Sequence, residues 1–231
     1  MFGLFKKRNK IVPNENKAVS KNCLPKNEID TLYSAKKYDE VISKITALTE
    51  SGQGISFETK RTLALSYFYK EDYDKAIAIF MEIAQKKNDL ESWFNCLNPL
   101  LIAKKMQEAQ NVYNTIQKMN KDLNVNQPRE LAPSFVRYYY ACGLNDAGLF
   151  EKALEHLEEL KKVYMALKIT DDTFVYIRGV PFLSNTLELA KKVYTGLEKD
   201  FANSDYLKEL KRNVDSDGKA LIEKYEKDSG Q

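Results

Sequence analysis

The residues in this chain best suited to chemistry are Glu155-His156-x-x-Glu159, built around the sequence's one histidine. On a helix these three side chains lie close on one face, a spacing that can hold a metal ion. Lys152 stands four residues before His156 on that face, and its positive charge opposes a bound cation. The face also turns away from the apolar stripe of Ala153, Leu157, Leu160 and Tyr164. The pattern therefore predicts a solvated, charged helix surface and no metal centre. A Ser-His-Asp triad would have to use His156, and no nucleophile elbow surrounds it. Ser51-Gly52-Gln53-Gly54 lacks both the lysine and the preceding strand of a phosphate-binding loop. Asp171-Asp172 opens a predicted helix and reads as capping rather than as an acid pair. Glu155, Glu158 and Glu159 lie within a turn or two of Lys152, Lys161 and Lys162, so ion pairing along one helix accounts for them. The cysteines, Cys23, Cys96 and Cys142, are odd in number and show no Cys-x-x-Cys spacing. They predict small buried residues in a reducing cytosol, with no disulfide framework and no zinc site. On this reading there is no catalytic, cofactor-binding or metal-binding residue, and an enzyme is not expected.

The elements around these residues are expected to be helical. Charged residues make up 30% of the 231-residue chain, against only 9 Gly and 6 Pro, so few breakers interrupt strong helix formers. Hydrophobic residues make up 43%, enough for one sizeable core. The net charge is +3, and Lys6, Lys7, Arg8 and Lys10 alone supply four positive charges, so the remainder is close to neutral. A nucleic-acid-binding domain would carry a basic stripe throughout, so nucleic acid is not an expected partner. Residues 1–26 read as a flexible basic leader, and residues 27–231 as a single helical domain. Phe2-Gly3-Leu4-Phe5 precedes the basic run, the reverse of a signal peptide's order. With its cations it offers at most a marginal contact with a membrane surface. No apolar run approaches the roughly 20 residues of a spanning helix, so stable membrane insertion is not expected.

From Glu28 onward apolar residues recur three and four apart, over 28–48, 57–86, 90–119, 134–168 and 187–201, with a last helix or pair across 204–227. Breaks fall at Ser51–Gly54, at Asn124, Asn126, Pro128 and Pro133, at Arg178–Pro181, and at Asp215–Gly218. The pattern repeats. Leu63, Ala64 and Tyr67 are followed by Tyr73, Ala76, Phe80 and Ile83; then come Trp93, Leu97, Leu100, Ala109, Tyr113 and Ile116. A fainter earlier copy holds Leu32, Tyr38, Val41, Ile45 and Leu48, and a later one Tyr140, Ala141, Leu144, Phe150, Ala153, Leu157 and Leu160. The small-residue column Val41, Ala76, Ala109, Ala153 advances by 35, 33 and 44 residues, so about ten extra residues intrude at the polar 120–133 segment. A possible fifth copy places Leu187, Ala190, Tyr194 and Leu197 on a second helix, its first helix spoiled by Gly179 and Pro181.

These slots resemble the tetratricopeptide repeat, a helix–turn–helix unit of about 34 residues, over roughly residues 28–200. Leu63, Ala64 and Tyr67 match the first-helix slots, and Ala76 and Phe80 the second-helix ones, with Trp93 in the tryptophan slot of the next copy. Lys60 in the tryptophan slot and Asn88 in the terminal proline slot depart from the pattern, and Pro99 inside a first helix should kink it. The resemblance implies an all-α, right-handed α-solenoid of about four to five hairpins plus a C-terminal helix. No hairpin in such an array buries its apolar face alone, so stacking supplies the core.

In arrays of that family the first helices line a concave groove, and residues between the core slots point into it. By resemblance the groove residues here are Arg61, Phe68, Phe94, Asn98, Tyr138 and Asn145. About half of the first-helix aromatics, Tyr67 and Tyr140 among them, are expected in the core instead. Family members that clamp a partner's C-terminal carboxylate carry Lys, Arg and Asn at the places held here by Arg61, Leu65, Phe94, Asn98, Tyr138 and Cys142. That set is too apolar for a clamp, and an internal peptide, a helix or a folded surface suits it better. The implied function is a non-catalytic, cytoplasmic scaffold or interaction module that binds a protein or peptide partner. An immunity protein that neutralises a cognate secreted toxin is an alternative of the same kind. A regulator that binds a peptide and passes the change through its C-terminal helices is a second.

Overall fold

The computed structural model describes residues 26–120 and 127–227; all of the expected basic leader but Lys26, and the middle of the polar insertion, lie outside them. Among the described residues there are twelve α-helices, one short 3-10 helix and no strand. They are α1 (Lys26–Ser34), α2 (Tyr38–Glu50), α3 (Phe57–Tyr69), α4 (Tyr73–Lys87), α5 (Leu90–Ile102), α6 (Met106–Met119), the 3-10 helix Arg129–Leu131, α7 (Pro133–Asp146), α8 (Phe150–Leu167), α9 (Asp172–Ile177), α10 (Leu183–Gly196), α11 (Asp205–Asn213) and α12 (Ser216–Lys227). Side chains cap the starts of six of them, α12 through Asp215 and Gly218 N–H. Ser56, Asp72, Asp89, Asp171 and Ser204 each accept a bond from the backbone N–H three residues on. Asp171 is thus the cap its sequence suggests. Neighbours in the chain pack on one another from α1 through α8, the arrangement of a helical repeat.

The tight turns give the repeat its clearest physical mark. Lys36, Glu71, Lys104 and Gly148 all have left-handed backbone, with φ between 55° and 75°. Each lies in the turn between the two helices of a unit, and each precedes its small residue (Val41, Ala76, Ala109, Ala153) by five positions. In every case the next N–H reaches back to a carbonyl in the last turn of the first helix: Lys37 to Leu32, Asp72 to Tyr67, Lys105 to Leu100 and Leu149 to Leu144, at 2.9–3.0 Å. The same kind of turn follows α2 (Gly52, Gln53 N–H to the Leu48 carbonyl), α9 (Gly179, Val180 N–H to the Val175 carbonyl) and α10 (Glu198, Lys199 N–H to the Tyr194 carbonyl). Helix α10 packs on both α7 and α8, as a first helix should. This corrects the sequence reading of a fifth copy with Ala190 on a second helix. The segment spoiled by Gly179 and Pro181 holds only the six-residue α9, and α11 packs on α8 and α12.

The small column does what the slots require. Val41, Ala76, Ala109 and Ala153 are fully buried, and Phe80, Tyr113 and Leu157 fill the spaces beside them. Each fully buried large side chain is worth about 1.5–3 kcal/mol. A small cluster around Ile29, Val41 and Ile45 serves the first hairpin, and one continuous core runs from Ala64 to Ile222. The departures from the family pattern have local partners. Lys60 reaches across to Glu82 of α4 at 2.5 Å. Asn88 takes a left-handed cap, φ 48°, and its side-chain oxygen accepts from Trp93 Nε1 at 3.2 Å. Helix α5 runs on through Pro99, with Ala103 N–H bonded to the Pro99 carbonyl. The insertion is pinned at its base. Asn120 donates to the Leu131 carbonyl and accepts from Gln127 at 3.1 Å, and Gln117 donates to the Pro133 carbonyl, so α6 and α7 stay packed.

Ion pairing along α8 is present, Glu158 to Lys161 and Glu159 to Lys162, both at 2.6 Å, but it is not confined to one helix. Lys161 is only 5% exposed, bonds Glu209 of α11 at 2.6 Å, and lies 5.2 Å from the centre of the Tyr206 ring. It therefore ties α11 to α8. Lys161→Ala is expected to cost about 1–2 kcal/mol in urea denaturation, below the full penalty for breaking a buried pair because both glutamates keep water contact. Lys161→Met, which keeps the stem on Tyr206, is expected within about 0.5 kcal/mol of the parent. Equal losses in both variants would show that charge, not packing, carries the contact.

Candidate partner-binding surface

Helices α3, α5 and α7 position the six residues expected in a groove. Arg61, Phe94 and Tyr138 occupy equivalent turns of the three helices, as do Phe68 and Asn145 of α3 and α7. One of the six is misplaced by the sequence reading. Phe68 is 5% exposed and meets Tyr69 and Tyr73 edge-on, each at 5.7 Å, so it belongs to the core and not to a binding face. The tight turn at Glu71 folds Tyr73 back over it. The other five are half-buried.

Phe94 and Tyr138 are joined through a first-helix aromatic outside the six expected groove residues. Tyr139 lies 5.9 Å from Phe94 and 5.7 Å from Tyr138. From Tyr139 a chain of rings continues to Phe135 (6.2 Å), Tyr176 of α9 (6.0 Å) and Phe182 before α10 (6.2 Å). Tyr176 is 37% exposed and its hydroxyl donates to Glu130; Ile177 beside it is 56% exposed. The aromatic strip therefore crosses α5, α7, α9 and the start of α10. Its signal in the sequence was Phe174-Val175-Tyr176-Ile177, four apolar residues in a helix too short to bury them all.

Arg61 lies apart from that strip. It lines a hollow of about 40 Å³ between the starts of α3 and α5, with Phe57, Phe80, Ile83 and Asn95. Its buried Nε has no acceptor among the described residues, and neither has the buried Oδ1 of Asn145 a donor. Asn145 donates to Asp146, at 3.3 Å. Tyr67, expected in the core, is half-buried under Lys75, whereas Tyr140 is 1% exposed and stacks on Tyr113 at 4.4 Å.

The thiols of Cys96 and Cys142 and the phenols of Tyr138 and Tyr139 are held in their uncharged forms. Burial pushes the Cys96 thiol up to about 12 and that of Cys142 up to about 11. Burial likewise raises the phenols of Tyr138 and Tyr139. A surface of neutral rings and protonated thiols can present shape, apolar area and hydroxyl donors. Among the described residues no three His, Cys, Asp or Glu side chains gather as a metal site, and no helix is long and apolar enough to cross a membrane.

The large apolar side chains with most exposure sit elsewhere than expected. Phe57, Met119, Ile169, Tyr176 and Ile177 fall at the start of α3, the end of α6, just past α8, and on α9. In a chain of hairpins these places share one edge, where second helices end and first helices begin. The chain matches no protein-family model, and no curated protein matches it.

Proposed function

We propose that this chain is a non-catalytic interaction module that holds one protein partner against the aromatic strip of its first helices. The observation that supports this reading best is the unbroken run of rings from Phe94 through Tyr139 and Phe135 to Tyr176 and Phe182. Tyr and Phe contribute large contact area at small entropic cost, and such residues dominate binding hot spots. The half-buried state of Phe94, Tyr138 and Tyr139 leaves each ring partly open while packing fixes its orientation. The strip is neutral, which favours a protein or peptide over nucleic acid as the partner. Cys96 and Cys142 are both free, which suits the reducing cytoplasm we assign to the protein. The tetratricopeptide-like, right-handed array remains the architecture this function rests on.

The test starts with affinity capture from the native cell, followed by calorimetry with the captured partner. Phe94→Ala and Tyr139→Ala are each expected to weaken Kd about tenfold or more while the helical circular dichroism signal stays unchanged. Unchanged affinity in both variants, or binding lost only together with helix, would remove the strip from the interface.

A further inference from the structure

His156 lies in the seam where the third and fourth units meet, not on the solvated face its neighbours suggest. Its ring stands edge-on to Tyr113 of α6 at 5.2 Å and to Tyr140 of α7 at 5.0 Å. Arg137 of α7 places Nη1 3.3 Å from His156 Nδ1. A guanidinium can only donate, so Nδ1 accepts, and the imidazole is neutral with its proton on Nε2. The surrounding groups offer little to a charged ring. Tyr113 and Tyr140 are uncharged, and the Tyr140 hydroxyl is already given to Gln110 at 2.9 Å. On its own helix Glu159 is bonded to Lys162, while Lys152 and Glu155 are exposed to water.

We propose that the Arg137–His156 contact is a pH-sensitive lock on the seam between the third and fourth units, closed while the imidazole is neutral and released when it takes a proton. Protonation turns Nδ1 from acceptor to donor and sets a second positive charge against the guanidinium. The electrostatics agree with the geometry: burial first, and then the Arg137 charge, push the imidazole down to about 4, with Glu159 opposing only in part. An opened seam returns the ring to its ordinary value of about 6.5, so the opened state binds the proton first. The lock is therefore fully effective above about pH 6.5, weakens as pH falls, and is spent near pH 4. Allowing for the ring's partial exposure, the opened fraction is expected to rise about tenfold between pH 7.5 and pH 5.

Because the sequence has one histidine, its imidazole C–H resonances need no assignment. NMR titration of the full chain should give a midpoint well below 6.5, and Arg137→Gln should raise it. Hydrogen exchange, corrected for intrinsic rates, should show α6 and α8 opening about tenfold more at pH 5 than at pH 7.5 in the parent and no such change in His156→Phe. His156→Gln keeps a neutral acceptor for Arg137, carries the same expectation, and serves if the phenylalanine variant does not fold. A midpoint between 6 and 7, or an equal pH response in the parent and the variants, overturns the proposal.

Discussion

Tyr164→Ala is expected to remove about 3–5 kcal/mol of stability, the range for deleting a large aromatic ring from a closed core. Tyr164 is fully buried on α8, where its hydroxyl donates to the Pro181 carbonyl at 2.6 Å and pairs with Thr186 Oγ1 at 2.9 Å. One side chain thus fixes both the approach to α10 and its first turn. Truncation leaves a cavity between α8 and α10 and strands the Pro181 carbonyl in a dry site, while Thr186 Oγ1 keeps the Phe182 carbonyl. Tyr164→Phe keeps the volume and loses only the bonds, so about 1–2 kcal/mol is expected. At about 2–4 °C per kcal/mol for a chain of this size, the alanine variant should melt roughly 10 °C lower. Urea denaturation of both variants checks the ordering. An alanine variant within about 1 kcal/mol of the parent would mean that α10 is held by other contacts.

Asp215→Ala is expected to free the C-terminal helix while leaving the rest of the stack in place. The Asp215 carboxylate accepts from Thr170 N–H at 3.0 Å, Thr170 Oγ1 at 2.5 Å and Gly218 N–H at 3.0 Å. It therefore joins the segment after α8 to the first turn of α12. The approach is close: a Cβ at Gly218 would stand 2.8–2.9 Å from Val214 and Thr170. Removal of the carboxylate uncaps α12 and leaves the buried Thr170 N–H unpaired, together worth about 2–3 kcal/mol. Amides of α12 should then exchange at least tenfold faster, with α3 to α6 unchanged. Uniform acceleration along the chain would show instead that α12 unfolds only with the whole. The pH dependence follows from the same bonds. Burial alone would raise this carboxyl, but the bonds from Thr170 and Gly218 outweigh it and hold the pKa below the ordinary value. The contribution is present above the usual carboxylate range of about 4 and is lost as pH falls through the lowered value. That window lies below the one set by His156, so the two effects separate on titration.

The helices were legible because their apolar spacing, caps and breakers agree. Val41, Ala76, Ala109 and Ala153 marked the period, and the left-handed turns five residues before them mark the same period independently. The fifth unit was misread because a small residue followed four later by a large one, Ala190 and Tyr194, fits either helix of a hairpin. Only the packing of α10 on α7 and α8 decides between them. His156 was assigned to water, and Lys161 to ion pairing along its own helix, for a related reason. A second helix in an array has two dry sides, one toward its own hairpin and one toward the next unit, and a single apolar stripe reports only the first. Within Tyr138-Tyr139-Tyr140 each ring faces a different neighbour. Tyr140 was recognisable from its slot, whereas the link that Tyr139 makes to Phe94 depends on how α5 and α7 meet.

The two edges of the stack obey different rules of growth. Within each of the four hairpins from α1 to α8 the connection on one edge is a short turn with a left-handed residue at the same place and the same reach-back bond, so an added residue there would break the register of a hairpin. On the other edge connections range from the pair Asn88-Asp89 to the stretch 120–132, which Asn120, Gln117 and Gln127 close at its base. The tight edge behaves as a spine, and the loose edge as a margin where chain can be inserted or exchanged without disturbing the helices behind it. The exposed Phe57, Met119, Ile169, Tyr176 and Ile177 all lie on that margin, so the surface chemistry of this protein can be rewritten where its architecture is least committed.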